Sequence, residues 1–316
     1  MTTRKIQLIA GSAYSITLPK DWVIKNGLKE KHEVSITEKN DMTLIVSPTK
    51  ISDKRIDSIS LDIGDYSDNL EQALFTLYYL GIENINLLTK TEIDKTKRAQ
   101  IRKALTHMGG TEIIYEDHQK ISIKVFLDKS KVDIKQILFR MSLIIEASVN
   151  ILIDNCDMNE IKINENELDR LYHLTAKIVT LSLINIDVLL SSKIINVSSI
   201  PSYLLISKRL ENIGDNINHL CIYLEKSKSK QQNLKNVFHE IILELNRSIR
   251  FLISGNVKVF EKMESEKITG LTKSILQIKD RAIQDYLEDT LRYLINIEEE
   301  IVNISFFNQL ISKDII

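Results

Sequence analysis

The pattern of apolar and polar positions divides the chain into three stretches. Residues 1–50 hold short β-prone runs, KIQLI, YSITLP, EVSIT and MTLIVSP, several with alternating polarity. Asn26-Gly27 and Asn40-Asp41 supply turn chemistry between them. Residues 56–130 read as βαβαββ. IDSISLDI is a strand, NLEQALFTLYYLG a helix closed by glycine, and ENINLL a second strand. An amphipathic helix from Asp94 to Met108 ends at Gly109-Gly110, and TEIIYED with KISIKVFLD closes a hairpin. From residue 133 the period becomes helical, with helices expected near 133–155, 164–191, 200–227, 233–254 and 256–264 and then a long final pair. The polar run KSKSKQQN separates 133–227 from 233–316. Asn164 and Glu167 look like a capping pair that starts the second helix. In 200–227, Ile206, Leu210, Ile213, Ile217, Leu220 and Leu224 alternate spacings of four and three, the seam of a bundle.

Composition sharpens this division. Only 3 Pro and 9 Gly occur, and most of the glycines precede Lys120, so the front is rich in turns and the back is helical. Fifty residues of short strands close no core of their own, so residues 1–50 call for a partner chain. No apolar run approaches the roughly 20 residues that cross a bilayer, and MTTRKIQLIAGS lacks the apolar core of a secretory signal. Cys156 and Cys221 have no metal-ligand spacing and no partner nearby in sequence, which suits a reduced cytoplasm. The expectation is therefore a cytoplasmic protein with no membrane insertion. Net charge is −1, so any DNA contact must come from a local patch.

Two i,i+4 acid pairs carry the candidate chemistry: Glu165 with Asp169, and Glu211 with Asp215. Asp169 ends a stripe continued by Tyr172, Ala176, Val179, Leu183, Ile186 and Leu190, which is otherwise apolar. If the two helices pack antiparallel, four carboxylates converge and need cations, and oxygen ligands favour Mg, Mn or oxidised Fe, with Zn also to be tested. The alternative is chance, since charged helices contain many such spacings and Glu165 suits a helix start for its dipole alone. Glu298, Glu299 and Glu300 are consecutive, fan around their helix and read as solvated. Of the six histidines, His219 is the one expected near the acids, as a rim residue. No histidine follows a glutamate by three residues, and no HExxH, GxSxG or P-loop occurs, so an enzyme is not expected.

Two family resemblances bear on function. GSAYSITLPKDWVIKNGLKEKHEVSI followed by MTLIVSP resembles the SpoVT–AbrB swapped-hairpin domain. The shared frame is a Gly-Ser turn, a strand ending in Leu18-Pro19-Lys20, Trp22, Gly27-Leu28 and a hydrophobic strand. Where that family often has a second glycine followed by Asp, this chain has Lys31-His32. The resemblance implies two chains exchanging hairpins in a homodimer, with DNA as a partner. Residues 1–50 carry eight basic and five acidic residues, +3 per chain, and Arg4, Lys5 and Lys20 are the candidate DNA-binding residues. The same domain would also serve as a pure dimerisation module. RLENIGDNI resembles the signature of PhoU proteins, tandem three-helix bundles that bind multinuclear metal clusters, and ENELDRLY resembles its partner motif. The resemblance implies Glu165, Asp169, Glu211 and Asp215 as metal ligands, with Asn212 and His219 departing from the pattern. The final helix keeps no acid pair in register, so one cluster per chain is expected. The three stretches together resemble archaeal regulators of phosphate uptake. The fold class so implied is a multidomain chain: a swapped-hairpin β domain, a small α/β middle domain and C-terminal all-α PhoU-like three-helix bundles. The implied partners are the ATPase of the phosphate transporter or a sensor protein. The competing reading is a dimeric scaffold or adaptor that does not bind DNA.

Overall fold

The computed structural model describes residues 3–9, 11, 13–38, 44–48, 57–66, 68–227, 234–255 and 258–313. The chain falls into two compact units, Met1–Ile56 and Asp57–Ile316.

In the first unit, β1 (Gln7–Ile9) pairs antiparallel with β2 (Ala13–Ser15), and β3 (Val34–Glu38) pairs antiparallel with β4 (Leu44–Pro48). The one-and-a-half-turn helix α1 (Lys20–Lys25) lies between the two hairpins in sequence. It stops because Gly27 takes φ 64, and the Leu28 N–H then bonds the Val23 carbonyl at 3.0 Å. Lys31 also lies in the left-handed region, at φ 68. A lysine there holds strain on the order of 1 kcal/mol. The Asn40-Asp41 turn lies outside the described residues. None of the described apolar side chains of this unit is buried; Leu8, Ile9 and Ile36 are 57%, 56% and 64% exposed.

The second unit begins with a four-stranded sheet of β5 (Ser58–Asp62), β6 (Asn84–Leu88), β7 (Thr111–Glu116) and β8 (Lys120–Val125), in the order β5-β6-β8-β7. β5 and β6 run parallel, as their connection through α2 (Leu70–Tyr79) requires. The other two pairings are antiparallel, with a bulge between Ile113 and Tyr115. The expected βαβαββ order is present. Alternate residues Ile85, Leu87, Ile121 and Ile123 form one buried core with Leu74 and Tyr78 of α2 and Ile101 and Ala104 of α3 (Lys95–His107). Gly81 ends α2 at φ 80 beside Leu181, whose Cδ2 would lie 2.8 Å from any Cβ there.

The rest is helical: α4 (Ile134–Asp154), α5 (Met158–Ser182), α6 (Ile186–Ser191), α7 (Ile200–Ser227), α8 (Leu234–Ser254), α9 (Ser265–Leu276) and α10 (Arg281–Ser312). One hydrophobic core runs through them from Ile134 to Ile304. α7 packs on α4, α5 and α10, while α8 packs on α4 and α10. α2 and α3 rest on α5, and the buried Lys177 of α5 donates to the Tyr78 carbonyl at 3.0 Å over the Tyr78 ring.

Several boundaries differ from the expected ones. α5 starts at Met158, where the Asp157 carboxylate accepts from the N–H groups of Asn159 and Glu160. Asn164 is inside that helix and its amide donates to Ser148 Oγ. The apolar stripe beyond Asp169 breaks after Val179: Leu183 is 59% exposed, and Asn185 caps the separate helix α6. Residues 258–264 are not helical; the next helix is α9, entered from Glu264. α4 is long and apolar enough to cross a membrane by length and composition, contrary to expectation, but Leu138, Met141, Ile145, Val149 and Leu152 bury one face in the core. Cys156 and Cys221, which have no partner nearby in sequence, are paired with each other as a disulfide across a separation of 65.

Candidate metal centre

α5 and α7 run side by side, and their close approach is set by Gly214. A Cβ at this position would fall 2.3 Å from Leu168 Cδ1, so only hydrogen leaves room for the buried leucine. Glu211 and Asp215 flank this contact on α7 and face Asp169 on α5. Carboxylate oxygens of Asp169, Glu211 and Asp215 all lie within 4.8 Å of one another. Glu165, one turn before Asp169, acts on both aspartates through its charge but is held by Lys162 at 2.5 Å. The structure thus brings three of the four expected acids to one point and sets the fourth beside it.

The electrostatics follow from burial. Burial pushes the Asp169 carboxyl up to about 7, with Glu165, Asp215 and Glu211 adding in the same direction. Burial also raises Glu211, against the Lys208 bond at 2.6 Å, and raises Asp215, with help from Glu165. Among the described residues, Lys162 and Lys208 are the only ammonium groups paired with the four acids. With all four ionised, the cluster of four acids and these two lysines carries a net charge of −2. Its donors are oxygens, which suit Mg, Mn or Fe.

The second acid cluster is built differently. Glu298 is 1% exposed, which corrects the expectation that Glu298, Glu299 and Glu300 are all solvated; Glu299 is the exposed member. The Glu298 carboxylate accepts from Arg247, Ser248 and the Met263 N–H. Its neighbour Glu244 is bound by Lys267 and Arg247, both at 2.6 Å. Burial opposes ionisation of Glu244, but these bonds outweigh it and hold the carboxyl below its ordinary range. Lys267 also pairs with Glu240 at 3.2 Å, so the two bases serve three acids, and each carboxylate of this cluster has a cationic partner.

Histidines near the first cluster were missed by the sequence reading, which placed only His219 there. His219 is exposed and acts on Asp215 through its charge. His107, at the end of α3, brings Nδ1 to 3.9 Å from Asp169 Oδ2. It stacks on His173, whose Nδ1 bonds the Tyr79 hydroxyl. Burial lowers both imidazoles, His173 to about 4, so both are neutral near pH 7. No local signal in the sequence shows this chain, because α2 and α3 reach α5 only through the fold.

Arg4, Lys5 and Lys20 are exposed in the first unit. No curated protein and no solved structure matches this chain. Residues 7–54 match the family model for antidote-toxin recognition MazE, bacterial antitoxin, so this stretch is an AbrB/MazE-like domain.

Proposed function

We propose that the chain is a dimeric, metal-binding regulator of phosphate uptake that acts on DNA through its N-terminal domain. The observation that carries the metal half is the contrast between the two acid clusters. Glu240, Glu244 and Glu298 each pair with Arg247 or Lys267, whereas among the described residues Asp169 and Asp215 converge with Glu211 and form no ion pair with a lysine or arginine. Buried charge without a counter-ion is costly, so a hard divalent cation is the complement. Asp169, Glu211 and Asp215 would ligate it, with Glu165 alongside. The PhoU resemblance of RLENIGDNI gives that centre its regulatory setting and phosphate as the effector class. In such a setting the phosphate transporter's ATPase or a sensor protein would be the contact.

The DNA half is supported by the match of residues 7–54 and by the uncovered apolar side chains of that unit. Two copies exchanging hairpins would cover Leu8, Ile9 and Ile36 and double the +3 charge. Arg4, Lys5 and Lys20 would then contact phosphates. The test is a shift assay with full-length protein on promoter fragments of phosphate-transport genes, with and without Mn(II). Retardation that depends on salt supports the reading. No retardation of any fragment at low salt would leave the dimeric scaffold as the better account.

A further inference from the structure

We propose that Cys156 and Cys221 form a reversible redox site that tunes the metal affinity of the acid cluster by fastening α5 to α7. The coupling half rests on the metal reading above.

Cys156 sits in the turn between α4 and α5, at φ 52, and the next residue, Asp157, caps α5. Cys221 is fully buried on α7. Their Cα atoms are 5.9 Å apart, inside the range a disulfide spans without moving backbone. The bond closes a loop with a sequence separation of 65, and Glu165, Asp169, Glu211 and Asp215 all lie within that loop. Asp215 precedes Cys221 by less than two turns, about 9 Å of helix. The cross-link therefore pins α5 to α7 at the end of the pair nearest the acids. Repulsion between the carboxylates pushes the same two helices apart, and the bond opposes it. A site held closed before the cation arrives binds it more tightly.

Cys156 is half-buried and open to a small reagent, whereas Cys221 is not. The Cys156 thiolate attacks a small-molecule disulfide of the glutathione type and releases one thiolate. The Cys221 thiolate then attacks the Cys156 sulfur of the mixed disulfide and expels the second. The protein dithiol is oxidised and the small disulfide is reduced to two thiols, which carry off the two protons. Excess thiol drives the reverse.

The test uses full-length protein equilibrated in glutathione buffers of graded potential, with thiols counted by mass after alkylation. Two thiols should disappear together and return on reduction. Closing a loop of this length should raise the melting temperature on the order of 10 °C. Mn(II) should bind the oxidised form roughly tenfold more tightly, a difference absent from Cys156→Ala/Cys221→Ala. Thiols that resist glutathione disulfide, or a disulfide that native protein never surrenders to reduced glutathione, would overturn the redox site. Equal Mn(II) affinity in the two forms would overturn the coupling. If melting responds to redox but neither form takes up Mn(II), the metal reading fails and the coupling with it, while the redox site stands. The comparison of oxidised and reduced wild type needs no variant to fold.

Discussion

Replacing Asp169 with Asn keeps the side chain's shape and removes one charge from the cluster. Burial, and then Glu165, Asp215 and Glu211, raise this carboxyl from 3.8 to about 7. At about 1.36 kcal/mol per tenfold change, holding it ionised in the metal-free fold costs about 4 kcal/mol. Its side chain is 20% exposed, and solvent screening brings that to roughly 2 kcal/mol. A folded-state value above the unfolded one means that protonation stabilises the fold. The gain appears as pH falls through about 7 and is complete near 4. In chelator at pH 8, Asp169→Asn should therefore melt about 4–8 °C above wild type. At pH 5, where Asp169 is protonated in the fold but still ionised in the unfolded chain, the gap should fall to roughly 40% of its pH 8 value, vanishing only below about pH 4. With Mn(II) present the order should reverse, because wild type gains stability from a ligand the variant binds poorly. Thermal unfolding followed by circular dichroism reads all three conditions. A variant less stable than wild type at pH 8 without metal, or a gap of equal size at both pH values, would refute the reasoning.

Other expectations follow from the same structure. Leu8→Asp should yield a monomer by sedimentation, because it charges the apolar surface that a second copy would cover; an unchanged dimer would place the interface elsewhere. Arg4→Ala/Lys5→Ala/Lys20→Ala should weaken DNA retardation and lower the salt slope by up to about 5.4, six phosphate contacts per dimer at roughly 0.9 each; an unchanged slope would show that these residues do not contact phosphate. Arg247→Ala strips a cation from Glu244 and from the buried Glu298, and should cost about 2–4 kcal/mol in denaturant unfolding; a cost under about 0.5 kcal/mol would mean that Ser248 and the Met263 N–H satisfy Glu298 alone.

How much the sequence discloses depends on how local each signal is. The seam of α7 and the βαβαββ order were legible because their periodicity is unbroken. The start of α5 was misplaced because Asp157 and Asn164 both offer cap chemistry, and only Asp157 sits where the chain turns. Leu183 and Ile184 extend the apolar pattern, so the stop before Asn185 was hidden. Glu298 was legible in principle: Leu294, Glu298, Ile301 and Ser305 share one helical face, and all are buried. Reading the three glutamates as a charge run obscured that register. The convergence of Asp169, Glu211 and Asp215 was expected from spacing and resemblance, but the Cys156–Cys221 pairing and the approach of His107 depend on contacts across 65 and 62 residues that no local pattern encodes.

The most direct test of the central claim is calorimetric titration of Mn(II), Fe(II), Mg(II) and Zn(II) into chelator-treated full-length protein, beside Asp169→Asn/Asp215→Asn. The account predicts saturable binding of at least one hard cation to the wild type and its loss in the variant, with helical content retained. Binding of all four metals by the variant as by the wild type would show that these acids are not the ligands. If the wild type takes up none, the converging carboxylates are not a metal centre and the proposed function loses its metal half.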